Sequence, residues 1–233
     1  MQWRHRLPRR GPVDRFAAIV ETSRGKRVAH IGFVDERQME TKQAEGVWLH
    51  AQLAEVASSL VGLDNAEPGV AWASERGYEA HAADAQSPEA LRALGLAPFE
   101  VVVAGEVIEH LDEPGPFLRA MHELTGPDGV LVVTTPNAYR LLNFLAPVTG
   151  SELVHEDHTA WHSPQTLRTL LGRNGWRVEE IAYYRTPART AKPLSNAVRS
   201  TLATLNRLRP YWSDGLIVWA RPAPGYAATR SGP

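Results

Sequence analysis

Cysteine is missing from all 233 residues. Its absence excludes disulfides, thiolate-ligated zinc and thiol catalysis. An excess of charge of either sign is also missing. There are 25 Lys and Arg against 26 Asp and Glu, a net charge of −1, so no global field draws in nucleic acid or an anionic membrane. No apolar run approaches the ~20 residues of a membrane span. Basic residues gather at the start, at Arg4, Arg6, Arg9 and Arg10, but no apolar core of signal-peptide length follows them. They read as a frayed, solvated tail, or alternatively as a small contact patch for an anionic partner. A cytoplasmic protein with no nucleic-acid partner is expected.

Apolar residues make up 43% of the chain, enough to fill the core of one domain over 1–233. Strand and helix signals alternate. The strands are expected at Arg27–Gly32, Ser59–Leu63, Tyr78–Ala82, Phe99–Ala104 and Val130–Thr134. Helices are expected between them at Trp48–Ala57, Pro68–Arg76, Pro88–Leu94 and Pro116–Leu124. This rhythm predicts an α/β fold with right-handed crossovers. Gly77, Gly95 and Gly126 stand where helix C-caps are expected, and Pro88 and Pro116 where helices start. Later come a loop and helix over Pro136–Val148, a His-rich segment His155–His162, a helix Pro164–Asn174 and strands Trp176–Tyr184 and Gly215–Ala220. Residues 187–212 read as an inserted helical arm with Leu194, Val198, Leu202 and Leu205 on one face. That face would suit a homodimer contact. The tail, 222–233, reads as disordered.

The most telling stretch is FEVVVAGEVIEHLDEP, residues 99–114. A doubly buried strand ends there in Gly105, Glu106, Glu109 and His110, as α/β sheets do where they build ligand sites. Over roughly residues 26–185 the chain resembles the class I S-adenosylmethionine (SAM) dependent methyltransferases. That resemblance implies a doubly wound, Rossmann-like seven-stranded sheet, mostly parallel with an antiparallel last strand, over a core of about 26–221. It also implies SAM as cofactor.

The first strand ends VAHIGFVDE. Where the family carries an acid and a Gly-x-Gly-x-Gly loop, this chain has His30 and keeps only Gly32. A dinucleotide needs those glycines so that backbone amides reach its pyrophosphate. SAM has no phosphate, so their loss damages an NAD reading more than a SAM reading. Some bacterial methyltransferases from surface-sugar gene neighbourhoods are similar, with a His-Ile-Gly start and a later Trp-Leu-His, as in Trp48–His50. Asp64, at the end of strand two, is read as the carboxylate for the ribose hydroxyls, the alternative being a helix N-cap. Asp84, ending strand three, matches the family's acid for the adenine amino group; its alternative is a cap for the helix at Pro88. Gly105 and Glu106 are placed against the cofactor.

Glu106, Glu109 and His110 are spaced to share one face of a helical turn. His110 is the natural general base, because an unperturbed imidazole titrates at about 6.5. The same trio suits Mg²⁺ or Mn²⁺. Some O-methyltransferases with a Glu-x-x-Glu-His signature use a divalent ion, among them small-RNA 2′-O-methyltransferases and ubiquinone-pathway enzymes. By that resemblance His158, with His155 and His162 nearby, completes a metal set of Glu106, Glu109, His110 and His158. Without an ion, His110 is the base and His158 orients the acceptor. Alternatively, Glu109 and His110 only cap the loop. Trp161 and Tyr139 are read as an apolar wall or as ordinary packing.

The leading expectation is a SAM-dependent transferase that methylates oxygen of a small-molecule or sugar-containing acceptor. The alternatives are a catalytically silent SAM-binding relative and an NAD-dependent Rossmann oxidoreductase.

Overall fold

The computed structural model describes residues 4–35, 38–185, 204 and 208–226. Along the chain run α1 (Arg15–Ser23), β1 (Arg27–Ile31), α2 (Met39–Ala44), α3 (Leu49–Val56), β2 (Ser59–Asp64), α4 (Glu67–Glu75), β3 (Glu79–Ala82) and α5 (Pro88–Ala93). Then follow β4 (Phe99–Gly105), α6 (Pro114–Leu124), β5 (Thr125–Pro136), α7 (Leu141–Leu145), α8 (Pro164–Arg173), β6 (Trp176–Tyr184) and β7 (Gly215–Pro222). The strands form one sheet in the order β3-β2-β1-β4-β5-β7-β6. Strands β1 to β5 pair in parallel, while β7 lies antiparallel between β5 and β6. This is the expected mixed, seven-stranded architecture.

Both sheet faces are covered, which is why the central strands read as unbroken apolar runs. Ala29 and Ile31 of β1 join a core with Phe117, Leu118 and Met121 of α6 and Leu167 and Leu171 of α8. Val28, one pleat away, joins Ile19 of α1 and Leu53 of α3 on the other face. The chain leaves β1 toward β2 on one side and later returns to β4 on the other. The strand order reverses at β1, so a crevice opens at the carboxyl ends of β1 and β4.

Several local expectations are corrected. Helix α1 was not expected; Asp14 caps it, accepting from the Ala17 amide at 2.9 Å. Short helix α2 was also missed. Helix α6 starts at Pro114, not Pro116. Strand β5 begins at Thr125, directly after α6, so Gly126 lies in a strand rather than at a cap. Gly77 and Gly95 do take the left-handed conformation past their helices, at φ 84° and 64°. The frayed-tail reading fails at Arg10, whose side chain pairs with Glu180 and lies 5.4 Å over the Trp219 ring. Just beyond it, the Val13 amide donates to the Tyr183 carbonyl at 2.8 Å. The start of the tail is docked too, since Tyr226 packs 4.5 Å from the His122 ring. Most of the arm, including Leu194, Val198, Leu202 and Leu205, lies outside the described residues. Among the described residues no helix is long and apolar enough to cross a membrane.

Candidate active site

The loop after β1 is packed rather than open. Gly32 has φ +66°, and a Cβ there would sit 2.5 Å from Val107 Cγ2. Both the backbone conformation and the close approach require glycine. The bulky residues that follow find room elsewhere. A Cβ on Gly62 of β2 would lie 2.7 Å from Phe33, and Val34 packs onto Gly69 of α4. Glycines missing from the loop are thus supplied by the strand and helix it rests on.

Asp64 ends β2 and is nearly buried. Its two oxygens accept from the Val34 amide at 2.9 Å and the Ala66 amide at 3.0 Å. It ties the β1 loop to the β2–α4 turn, while the N-cap position of α4 is Ala66. Asp84 is exposed and accepts from the Gln86 amide at 2.8 Å. Helix α5 is capped by Ser87 instead, so neither aspartate is a helix N-cap.

A cavity of about 640 Å³ opens at the crevice. Its walls include Arg15, His30, Gly32, Gly105, Glu106 and His110, with His155 and Asp157 from the loop across it. Asp64 and Asp84 lie outside these walls.

Glu106 follows β4 with φ 58°, the one positive φ outside glycine among the described residues. Because of this left-handed turn, Glu106 does not share a helical face with Glu109 and His110; only Ile108–His110 form a single 3₁₀ turn. The Glu106 carboxylate instead receives bonds from Tyr184 and from Thr134 at 3.3 Å. Arg15 pairs with it at 3.1 Å and lies 5.1 Å over the Tyr184 ring. Burial opposes the Arg15 charge, but Glu106 and Tyr184 outweigh it and raise its pKa. Arg15, Thr134 and Tyr184 had no signal in the sequence, because strand and helix periodicity assigned them no special place.

Glu109 is fully buried, and neither oxygen has a hydrogen bond of good geometry, although the Thr135 hydroxyl stands near enough to favour the charged form slightly. Burial, and then the Glu106 charge, push its pKa up to about 8. That shift favours the protonated form near neutral pH when no cation is bound. Ligand atoms of Glu109, His110 and His158 all lie within 4.8 Å of one another. A carboxylate with two imidazoles suits a divalent transition ion, and an unpartnered buried carboxyl at its edge fits such a group. Glu106 stands outside this cluster, held by Arg15 and Tyr184.

The His loop is stapled over the 3₁₀ turn. The Thr159 amide donates to the Glu109 carbonyl at 2.8 Å, and its hydroxyl to the Leu111 carbonyl at 2.9 Å. This brings the His158 ring to 4.7 Å from His110 and the His155 ring to 6.0 Å. Burial, then His110 and His155, lower the His158 pKa. His162 departs from expectation. It is buried at a β-bridge with Asn137, away from the cavity, and is core rather than loop. Tyr139 and Trp161 face outward, each about a third exposed, and do not wall the cavity.

A family profile described as a methyltransferase domain matches residues 22–181. A ubiquinone biosynthesis O-methyltransferase from Caulobacter sp. (strain K31) is 35% identical over 137 residues, which is 54% of this chain and 54% of the relative. The chain spans about half the length of the curated relatives it first matches. A SAM dependent methyltransferase from Archaeoglobus fulgidus has a TM-score of 0.56 at 20% identity, over 89% of this chain and 91% of that one. Magnesium protoporphyrin IX methyltransferase from Synechocystis PCC 6803, solved with bound SAH, has a TM-score of 0.57 at 15% identity, over 89% and 82%. These two likenesses concern the fold alone. The family profile, which covers most of the chain, makes the protein a member of the methyltransferase-domain family.

Proposed function

We propose that this protein transfers the methyl group of SAM to an oxygen of a small-molecule acceptor. The observation that carries this reading is the convergence of two kinds of group on one cavity at the topological switch point. Charged groups from the start of α1 and the end of β4, Arg15 and Glu106, meet an imidazole cluster brought over by a stapled loop. The cofactor supplies the electrophile as a sulfonium. The protein has to align acceptor and methyl group in line and take a proton from the hydroxyl.

In this reading His30, Gly32, Gly105 and Glu106 face the methionyl end. Arg15 is the cation for its carboxylate. Asp64, whose oxygens each keep a free lone pair, accepts a ribose hydroxyl, and Asp84 receives the adenine amino group. His110 takes the acceptor proton. His158, kept neutral by burial and by its His neighbours, orients the hydroxyl. Glu109, His110 and His158 fit a divalent ion, which would polarise the acceptor oxygen. The relatives named for ubiquinone biosynthesis favour a hydroxylated aromatic acceptor over a sugar.

The test is calorimetry with SAM and S-adenosylhomocysteine, followed by methyl-transfer assays on hydroxylated aromatics and on sugars, with and without EDTA. Micromolar binding and transfer to a phenolic oxygen are expected. Binding without transfer to any acceptor would leave a silent cofactor-binding protein, and no binding would end the proposal. Loss of turnover in EDTA would assign the cluster to a metal.

A further inference from the structure

We propose that His50 is a positioning residue that fixes the tautomer of His30, so that His30 presents a bare Nε2 to the α-ammonium of the cofactor's methionyl end. This rests on the cofactor assignment above.

His30 Nδ1 lies 3.2 Å from His50 Nδ1, with the rings stacked 5.4 Å apart at 20°. One proton fits between these nitrogens. Two protons would repel, and none would leave no bond. Both rings are buried, His30 at 4% exposure and His50 at 0%. Burial penalises the imidazolium form and lowers both pKa values, to about 3 and about 2. The pair is therefore two neutral imidazoles sharing one hydrogen bond.

The surroundings decide the direction of that bond. His50 Nε2 is buried with no polar partner. Ring centroids of Phe33, Trp48 and Tyr78 stand 4.5, 5.1 and 5.3 Å from the His50 ring. Among aromatic faces an N–H finds weak acceptors, whereas a lone pair finds none. His50 therefore carries its proton on Nε2 and accepts at Nδ1. His30 must donate from Nδ1, which leaves its Nε2 bare. The Arg15 charge further disfavours the imidazolium form of His30.

His30 lines the cavity with Arg15 and Glu106. One fixed cation beside two acceptors complements the carboxylate and ammonium of an amino-acid zwitterion. The arrangement is built from three places in the sequence. Trp48 donates from Nε1 to the Phe33 carbonyl at 3.2 Å and locks the start of α3, which carries His50 in its first turn. Gly62 leaves room for the ring, since a Cβ there would lie 3.0 Å from His50 Cε1. Together these contacts account for the His-Ile-Gly and Trp-Leu-His segments.

Two measurements test the inference. Long-range ¹H–¹⁵N correlation spectra of the free protein should show His30 protonated at Nδ1 and His50 at Nε2; the reverse pattern would overturn it. Calorimetry should then compare S-adenosylhomocysteine with its analogue lacking the amino group. His50→Phe should weaken the first by roughly tenfold or more, the lower range for a hydrogen bond to a charged group, and leave the second within about twofold. His50→Asn, whose amide oxygen can accept from His30, should restore most of the difference. Equal losses for both ligands in both variants would sink the ammonium contact. If the unaltered protein binds neither ligand, the cofactor assignment fails and takes that contact with it, whatever the tautomers.

Discussion

Glu106 sits in a conformation that costs a non-glycine residue about 1–2 kcal/mol, and three side chains hold it there. Its neighbour in the crevice, Gly32, has no such freedom to be anything else. Gly32→Ala would combine an unfavourable φ with a Cβ driven into Val107. We expect destabilisation of about 1–3 kcal/mol and loss of S-adenosylhomocysteine binding in calorimetry; wild-type affinity would place the cofactor elsewhere. Asp64 poses a different test, because it holds two backbone amides and lies outside the cavity walls. Asp64→Ala should cost about 1.5–3 kcal/mol of stability through the lost charged hydrogen bonds. A ribose contact would add a drop in ligand affinity, measurable by titrating the folded variant. A fall in melting temperature with unchanged affinity would leave Asp64 a purely structural tie. The sequence singled out both residues, Gly32 by its isolation and Asp64 by its strand end. It did not reveal that Asp64 faces the loop rather than the open cavity.

At the scale of elements, α1 does more than cover the sheet. It delivers Arg15 from its first position to Glu106 and Tyr184, far away in sequence. Its only side-chain cap is Asp14. Asp14→Ala should therefore cost about 1 kcal/mol, a fall of about 2–4 °C in melting temperature for a chain of this size. Fraying would also free Arg15, so affinity for S-adenosylhomocysteine should fall with it. A variant with lower melting temperature and intact affinity would remove Arg15 from the cofactor site. Helix α1 was not read from the sequence, because a short amphipathic pattern beside a basic tail is weak evidence on its own. The 3₁₀ turn at Ile108–His110 is the opposite case. Its residues were plain to see, but their helical spacing misled, because one left-handed residue turns Glu106 away from the other two.

Across the whole molecule, buried titratable groups set opposing slopes of stability with pH. His30 and His50 have folded pKa values near 3 and 2, against 6.5 unfolded. Below pH 6.5 the unfolded chain binds protons that the folded chain refuses, so stability falls as pH drops. His158 and His162, also lowered, act in the same direction. Glu109 is raised from 4.5 to about 8. Between those values the folded chain holds a proton that the unfolded chain has released, so stability falls as pH rises toward 8. Melting temperature measured in EDTA should peak between about pH 6 and 7. Glu109→Gln should flatten the alkaline side and steepen the acid side between about pH 4.5 and 6.5, where Glu109 opposes the histidines. A profile still falling from pH 7 to 8 in that variant would show that Glu109 is not the group responsible.

The sequence by itself determined the sheet and its site-bearing end. Buried parallel strands must be apolar on both faces, and helices between them must announce their caps and turns, so order and class follow from local pattern. Gly32, His30, Asp64 and the GEVIEHL segment stood out in the sequence because each sits at a strand end. Tertiary structure alone decided which of these groups meet. Arg15 with Glu106, His30 with His50, and the adjacent Glu109 and His110 with His158 are pairings between groups apart in the sequence. They depend on the register of packed elements and on a single positive φ, and neither leaves a periodic trace in the sequence. Burial decided the rest. Only the fold shows that Glu109 lies out of water, and that burial is what raises its pKa.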